Sequence, residues 1–146
     1  MPDFRSFVAV PEMRIETNGI LDACRELDIT LLAYQPLASG ALTGTYIDGA
    51  RPTGFRRFMR TFRGSGREQA RPVVALLGEI GERHGMTPAQ VALRWLIEQG
   101  DGDVIPIPGA KHGRQAAANA QALTFRLTSD ELDALERTTR AWRPRP

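Results

Sequence analysis

The residues of this 146-residue chain best suited to chemistry fall in one stretch, Val104-Ile-Pro-Ile-Pro-Gly-Ala-Lys-His-Gly-Arg-Gln-Ala-Ala-Ala-Asn119. It reads as a short buried strand, a tight turn at Pro108 and Gly109, and a helix of small residues. Lys111 and His112 sit just after the turn, and Gln115 and Asn119 lie on the helix that follows. A strand running into a helix N-terminus points backbone N–H groups and the positive end of the helix dipole the same way, an arrangement that holds anions. Lys111 adds a full charge there and is the only lysine, the other eighteen basic residues being arginine. The same spacing also suits an ordinary βα turn with a solvated lysine.

A second stretch of interest is Gln35-Pro-Leu-Ala-Ser-Gly-Ala-Leu-Thr-Gly44. Gly40 and Gly44 let the backbone approach a ligand closely, and Ser39 and Thr43 can donate to oxygens. By itself the pattern equally suits a plain loop. No other constellation for catalysis stands out. The sequence holds no nucleophile elbow, no metal-spaced Cys/His cluster and no Walker loop. Tyr34 and Tyr46 have no lysine or histidine close by in sequence.

Around these two stretches, residues 1–14 are poorly patterned. Ser6 to Val10 suits a strand that Pro11 ends, with no companion before it. A helix is expected from Thr17 or Asn18, with Ile20, Leu21, Cys24 and Leu27 on one buried face and Asp28 closing it. Ile29 to Tyr34 is a near-continuous apolar run, as in a parallel strand covered on both faces. Residues 47–66 are rich in Gly and Arg and lack an apolar period. Arg67 to His84 has Val73, Leu76, Leu77 and Ile80 in a helical stripe that Gly85 ends. Thr87-Pro-Ala-Gln90 carries a capping-box start with proline at the first helical position, and Gly100 stops the helix that follows. The helix after the Pro108–Gly109 turn is expected from about Arg114 to Leu123, kept slim by Ala116, Ala117 and Ala120 so that it lies close to its strand. Thr128 and Glu131 form a second box, stapled by Leu127 and Leu132, for a last helix ending near Thr138. The tail, 140–146, is expected to fray.

Composition narrows the partners. Apolar content of 42% and charged content of 25% are those of a single globular domain. No run is long and apolar enough to span a bilayer, and the N-terminus shows no apolar signal core. The lone Cys24 cannot form an internal disulfide, so a reducing, cytoplasmic location is expected. A net charge of +2 gives little ground for a nucleic-acid partner.

Both stretches resemble the aldo-keto reductase family. Ile107, Pro108, Gly109, Ala110, Lys111, Gln115 and Asn119 fall on its motif I-P-G-x-[KR]-x-x-x-Q-x-x-x-N near the end of the barrel. Ala33 to Gly44 resembles its second cofactor segment, A-Y-S-P-L-A-x-G-x-L-T-G-K-Y. Gln35 replaces the usual Ser there, and Thr45 stands where many members carry Lys. The resemblance covers about residues 14–139. It implies that Gly109, Ala110, Lys111 and His112 hold the 2′-phosphate of NADP(H), and that Gln115 and Asn119 reach its adenine end. It further implies that Gln35, Pro36, Leu37, Ser39, Gly40, Leu42 and Gly44 wrap the pyrophosphate and ribose. Residues 47–66 would be the loop that covers the cofactor, with Arg56 and Arg57 on phosphate. Seven arginines between Arg51 and Arg71, interleaved with Phe55, Phe58 and Phe62, also suit single-stranded nucleic acid. The loop is favoured because long structureless segments in compact domains are usually lids or disordered.

The implied fold is α/β, a partial TIM (β/α)8 barrel with two or three parallel strands and four to five helices. It would form one incomplete domain over 1–146. A whole barrel takes ~250 residues, so this chain is roughly a hundred short. The family reduces aldehydes and ketones by hydride transfer, using an Asp, Tyr, Lys and His from the N-terminal half. The only lysine here belongs to the phosphate motif, so no catalytic residue is assigned. The expectation is an NADP(H)-binding, oxidoreductase-like fragment that does not turn over alone. The alternative is a non-enzymatic nucleotide-binding or regulatory interaction module. In either case a nicotinamide dinucleotide is the expected ligand, and the open sheet is expected to associate with itself or with a complementary barrel half.

Overall fold

A computed structural model describes residues 7–11, 19–46, 50–59, 62 and 64–142. The elements run β1 (Phe7–Pro11), α1 (Ile20–Glu26), β2 (Thr30–Tyr34), α2 (Gly64–His84), α3 (Pro88–Gln99), β3 (Val104–Ile107), α4 (Gly113–Ala120) and α5 (Ser129–Trp142). Short 3-10 turns occupy Ala38–Thr43, Gly54–Phe58 and Gln121–Leu123. The strands form one parallel sheet in the order β1-β2-β3. Three sequential parallel strands with helical crossovers make an α/β arrangement, a segment of a (β/α)8 barrel. The expected frayed tail lies partly, and the poorly patterned start mostly, outside the described residues. So do Thr17 and Asn18, the expected start of α1.

β1 does have a companion, and it comes later in the chain. Phe7 pairs with Thr30 and Pro11 with Tyr34. On the other side of β2, Leu31 pairs with Val104 and Tyr34 with Ile107. Proline is tolerated in β1 and β3 because both are edge strands.

One face of the sheet is well covered. Leu31, Ala33 and Val104 pack with Leu21 and Cys24 of α1 and Leu96 of α3. A larger cluster joins the Ala38–Thr43 turn to α2, α3 and α5 through Leu42, Val73, Leu77, Ile80, Val91, Trp95 and Leu135. α3 serves both clusters and is buried without a break from Gln90 to Leu96. Gly100 ends it where β3 passes close by, for a Cβ there would lie 2.4 Å from Val104 Cβ.

Among the described residues, the opposite face is open. Side chains two apart share a face, so Leu32 and Tyr34 stand with Ile105 and Ile107, which are 45% and 47% exposed. The expectation of a buried strand over Val104–Ile107 therefore holds for Val104 only. The cause is that β3 is an edge with helices on one side.

Four further expectations are corrected. Leu27 is 68% exposed, not on the buried face of α1. The chain reverses there, with Asp28 at φ 52 and the Ile29 N–H bonded to the Cys24 carbonyl, in a Schellman ending. α2 starts at Gly64 rather than Arg67, and Phe62 is buried against Tyr46 in an edge-on ring contact, so the 47–66 segment is fastened to the core at its end. α5 continues to Trp142 because Thr139 is buried and bonds back to the Leu135 carbonyl. Ala116, Ala117 and Ala120 are exposed, and α4 lies against α3 instead of its strand.

Both capping boxes are present. Gln90 Oε1 accepts from the Thr87 N–H at 2.7 Å, and Glu131 Oε2 accepts from the Thr128 N–H at 3.0 Å. Leu127 and Leu132 meet in the same core, as the staple requires.

Candidate functional site

Parallel pairing places Pro11, Tyr34 and Ile107 at one level, so the chain leaves all three strands at the same edge of the sheet. That carboxyl edge is where (β/α)8 proteins place their sites. β2 and β3 are neighbours ~4.8 Å apart. The Gln35–Gly44 and Pro108–Asn119 segments thus start side by side.

The segment after β2 is conformationally unusual. Gln35, Ala38 and Ser39 are three of the five non-glycine residues with positive φ among the described residues. Such conformations cost of order 1–3 kcal/mol each and persist where the surroundings dictate them. Here Ala38 N–H bonds the Gln35 carbonyl, Gly40 N–H bonds the Leu37 carbonyl, and Ser39 Oγ bonds Gln35 Oε1 at 3.2 Å. Thr43 Oγ1 donates to the Gly40 carbonyl at 2.7 Å, so this hydroxyl braces the turn. The candidate residues divide by burial. Gln35 is exposed, Ser39 and Gly40 are half-buried, and Pro36 is buried. Leu37 packs against the core and Leu42 is 1% exposed within it. Gly44 faces Pro88 and Val74. Leu42 and Gly44 therefore shape the turn from beneath, while Gln35, Ser39 and Gly40 offer the outer surface.

The segment after β3 is laid out differently. Gly109, Ala110, Lys111 and His112 are exposed, and Gln115 and Asn119 are half-buried. His112 caps α4, its Nδ1 accepting from the Gln115 N–H at 3.3 Å, while Gln115 Oε1 accepts from the Lys111 N–H at 2.9 Å. A neutral His112 that accepts through Nδ1 carries its proton on Nε2, a donor left beside Lys111. Gln115 Oε1 is used by the turn itself. In the 3-10 turn Gly54–Phe58, Arg56 is half-buried and Arg57 lies 4.5 Å over the Phe58 ring.

Several polar groups that support these segments are not visible as such in the sequence. Gln90 donates from Nε2 to the Ala118 carbonyl at 2.8 Å and to Gln121 Oε1 at 2.6 Å. Arg94 and Glu98 form a buried pair, and Glu98 also accepts from the Leu127 N–H. Glu131 joins α5 to the end of α2 through Arg83 Nη2 and His84 Nε2, each at 3.0 Å. Burial pushes the Glu131 carboxyl up, but the bond from Thr128 and those from His84 and Arg83 outweigh it and hold the group at about 2, against an ordinary 4.5. His84 is thus part of a structural junction.

The aldo/keto reductase family model matches residues 6–140. The chain belongs to that family. It is 39% identical over 121 residues to aldo-keto reductase str7 of Strobilurus tenacellus, covering 82% of this chain and 36% of that protein. It is 36% identical over 112 residues to the aldo-keto reductase yakc [NADP(+)] of Schizosaccharomyces pombe, covering 75% of this chain and 33% of that one. Among solved structures, the glycerol dehydrogenase AKR11B4 of Gluconobacter oxydans superposes with a TM-score of 0.78 at 26% identity, over 96% of this chain and 44% of its own. The chain thus spans about a third of the length of the curated relatives it matches. As an aldo-keto reductase it is of an oxidoreductase family with a TIM-barrel fold.

Proposed function

We propose that this chain carries the phosphate- and adenine-holding part of an NADP(H) site and does not reduce carbonyls by itself. The observation that supports this reading is the neighbouring exit of the two motif segments from β2 and β3. The groups present suit a phosphorylated dinucleotide. Lys111 is exposed at the turn before α4, and the unusual backbone at Gln35–Gly40 brings main chain to the same edge. Charge-assisted contacts to a 2′-phosphate would come from Lys111, with His112 Nε2–H beside it. Gln115 and Asn119 would meet the adenine end, and Gln35, Ser39 and Gly40 the pyrophosphate. Leu37, the buried Pro36 and Leu42, and the half-buried Gly44 would hold that turn in shape, and Arg56 and Arg57 would approach from the covering segment. The cofactor would supply the hydride; aldehydes or ketones would be the substrates of a completed barrel.

Turnover needs the strands that would close the sheet. The open face at Leu32, Tyr34, Ile105 and Ile107 is the surface we assign to a complementary barrel half, with self-association as the competing outcome. A reducing, cytoplasmic setting remains the proposed location. Fluorescence titration with NADPH tests the reading. Binding in the micromolar range or weaker is expected, and none at millimolar cofactor would sink it. NADPH oxidation with an aldehyde should stay at background for the pure chain, and robust turnover would overturn the fragment reading. Binding that persists with no gain in activity on adding a complementary half would favour a regulatory module.

A further inference from the structure

We infer that Gln90 is a positioning residue that fixes α4, and with it Lys111, Gln115 and Asn119, against the N-terminus of α3. The inference rests on the cofactor reading of the Lys111 turn. Gln90 is 5% exposed, and its carboxamide has both ends engaged. Oε1 accepts from the Thr87 N–H at 2.7 Å and the Thr87 hydroxyl at 2.9 Å. Nε2 donates to the Ala118 carbonyl at 2.8 Å and Gln121 Oε1 at 2.6 Å. The orientation of the amide is dictated, since a flip would set its NH2 against the Thr87 N–H and its oxygen against the Ala118 carbonyl.

α4 needs such a tether because it has no buried residue of its own. The 3-10 turn that follows supplies the buried Ala122 as an apolar anchor. The bond to Ala118 grips the last turn of α4 beside Asn119, while Lys111 and Gln115 lie before and within its first turn. Eight residues span ~12 Å, so a tilt of about 10° about the tether would move the Lys111 turn by about 2 Å. Displacements of about 1 Å are enough to spoil a bound geometry.

Gln90→Glu in the full chain separates the two ends. A carboxylate still accepts from the Thr87 N–H and keeps the α3 capping box, yet it cannot donate to Ala118 or Gln121. Amide exchange at Ala116–Ala120 should speed up at least tenfold with α3 amides unchanged, and the NADPH Kd should rise about tenfold. The affinity gap from the wild type should narrow as pH is lowered and the introduced carboxyl protonates, regaining a donor. That recovery would not follow from a general loss of packing. Wild-type exchange in α4, or equal acceleration in α3 and α4, would overturn the inference. Should Gln90→Glu fail to fold, Gln121→Ala removes one acceptor from the tether without touching α3. It should speed α4 exchange about threefold, and no change there would equally refute the tether. Absence of NADPH binding by the wild type would instead defeat the cofactor reading, while the exchange pattern still decides whether Gln90 holds α4.

Discussion

The junction at Glu131 yields a quantitative expectation. Its carboxyl is held at about 2, against 4.5 ordinarily, despite a side chain only 8% exposed. Each pKa unit corresponds to ~1.4 kcal/mol, so the full depression is worth at most about 3.5 kcal/mol. Arg83 is 55% exposed, and solvent screens its part, which brings the expected contribution to about 1–2 kcal/mol. The sign follows from the direction of the shift. A carboxyl depressed in the folded state adds stability that is fully present above pH 4.5 and lost as pH falls from there toward 2. Glu131→Gln tests this, since glutamine keeps an acceptor for the Thr128 N–H while losing the charge and the second oxygen that accepts from Arg83. Urea unfolding followed by circular dichroism should show the variant less stable by about 1–2 kcal/mol at pH 7, a melting difference of roughly 2–8 °C for a chain this size. The difference should close as pH approaches 2.5. A stability gap that stays constant from pH 7 to 2.5 would refute the reasoning, because it would assign the loss to shape and not to charge.

Other expectations follow from single contacts. Lys111→Ala should weaken NADPH about tenfold and NADH much less, and equal losses in paired titrations would remove the 2′-phosphate role. Gly100→Ala places a Cβ against Val104 and should cost about 1–3 kcal/mol in chemical unfolding, with wild-type stability counting against the close approach. Leu77→Ala should cost about 2–5 kcal/mol, as that side chain is 1% exposed in the larger core. Ile107→Lys charges the open sheet face and should lower self-association in sedimentation. An unchanged sedimentation profile would show that this face is not where copies meet.

What could be read from the sequence was chiefly local. The Thr87 and Thr128 boxes depend on groups three residues apart, and Gly85 stops α2 by its own backbone freedom, so short windows suffice. The two motif segments were legible for the same reason, being continuous words. What failed depended on distant partners. Leu27 keeps the helical period yet faces solvent because the reversal at Asp28 turns it away. Ile105 and Ile107 look like core until one knows that helices cover a single face. Gln90 reads as a cap, but its second role reaches residues 28 and 31 positions further on. The alanines of α4 suggest close packing on a strand, and only the tertiary arrangement shows them exposed.

α3 contributes Val91, Ala92 and Trp95 to the larger cluster and Leu96 to the one beneath the sheet. The two cores therefore share a load-carrying wall and are not free to melt apart. Loosening α3 exposes both at once, so the sheet layer and the helical layer should unfold in one cooperative step, with the α3 amides among the slowest to exchange. For a protein with an open sheet face, that coupling makes one helix the guardian of the whole fold. A lesion on the side of α1 and β2 should be felt at α5, although the two lie in different clusters.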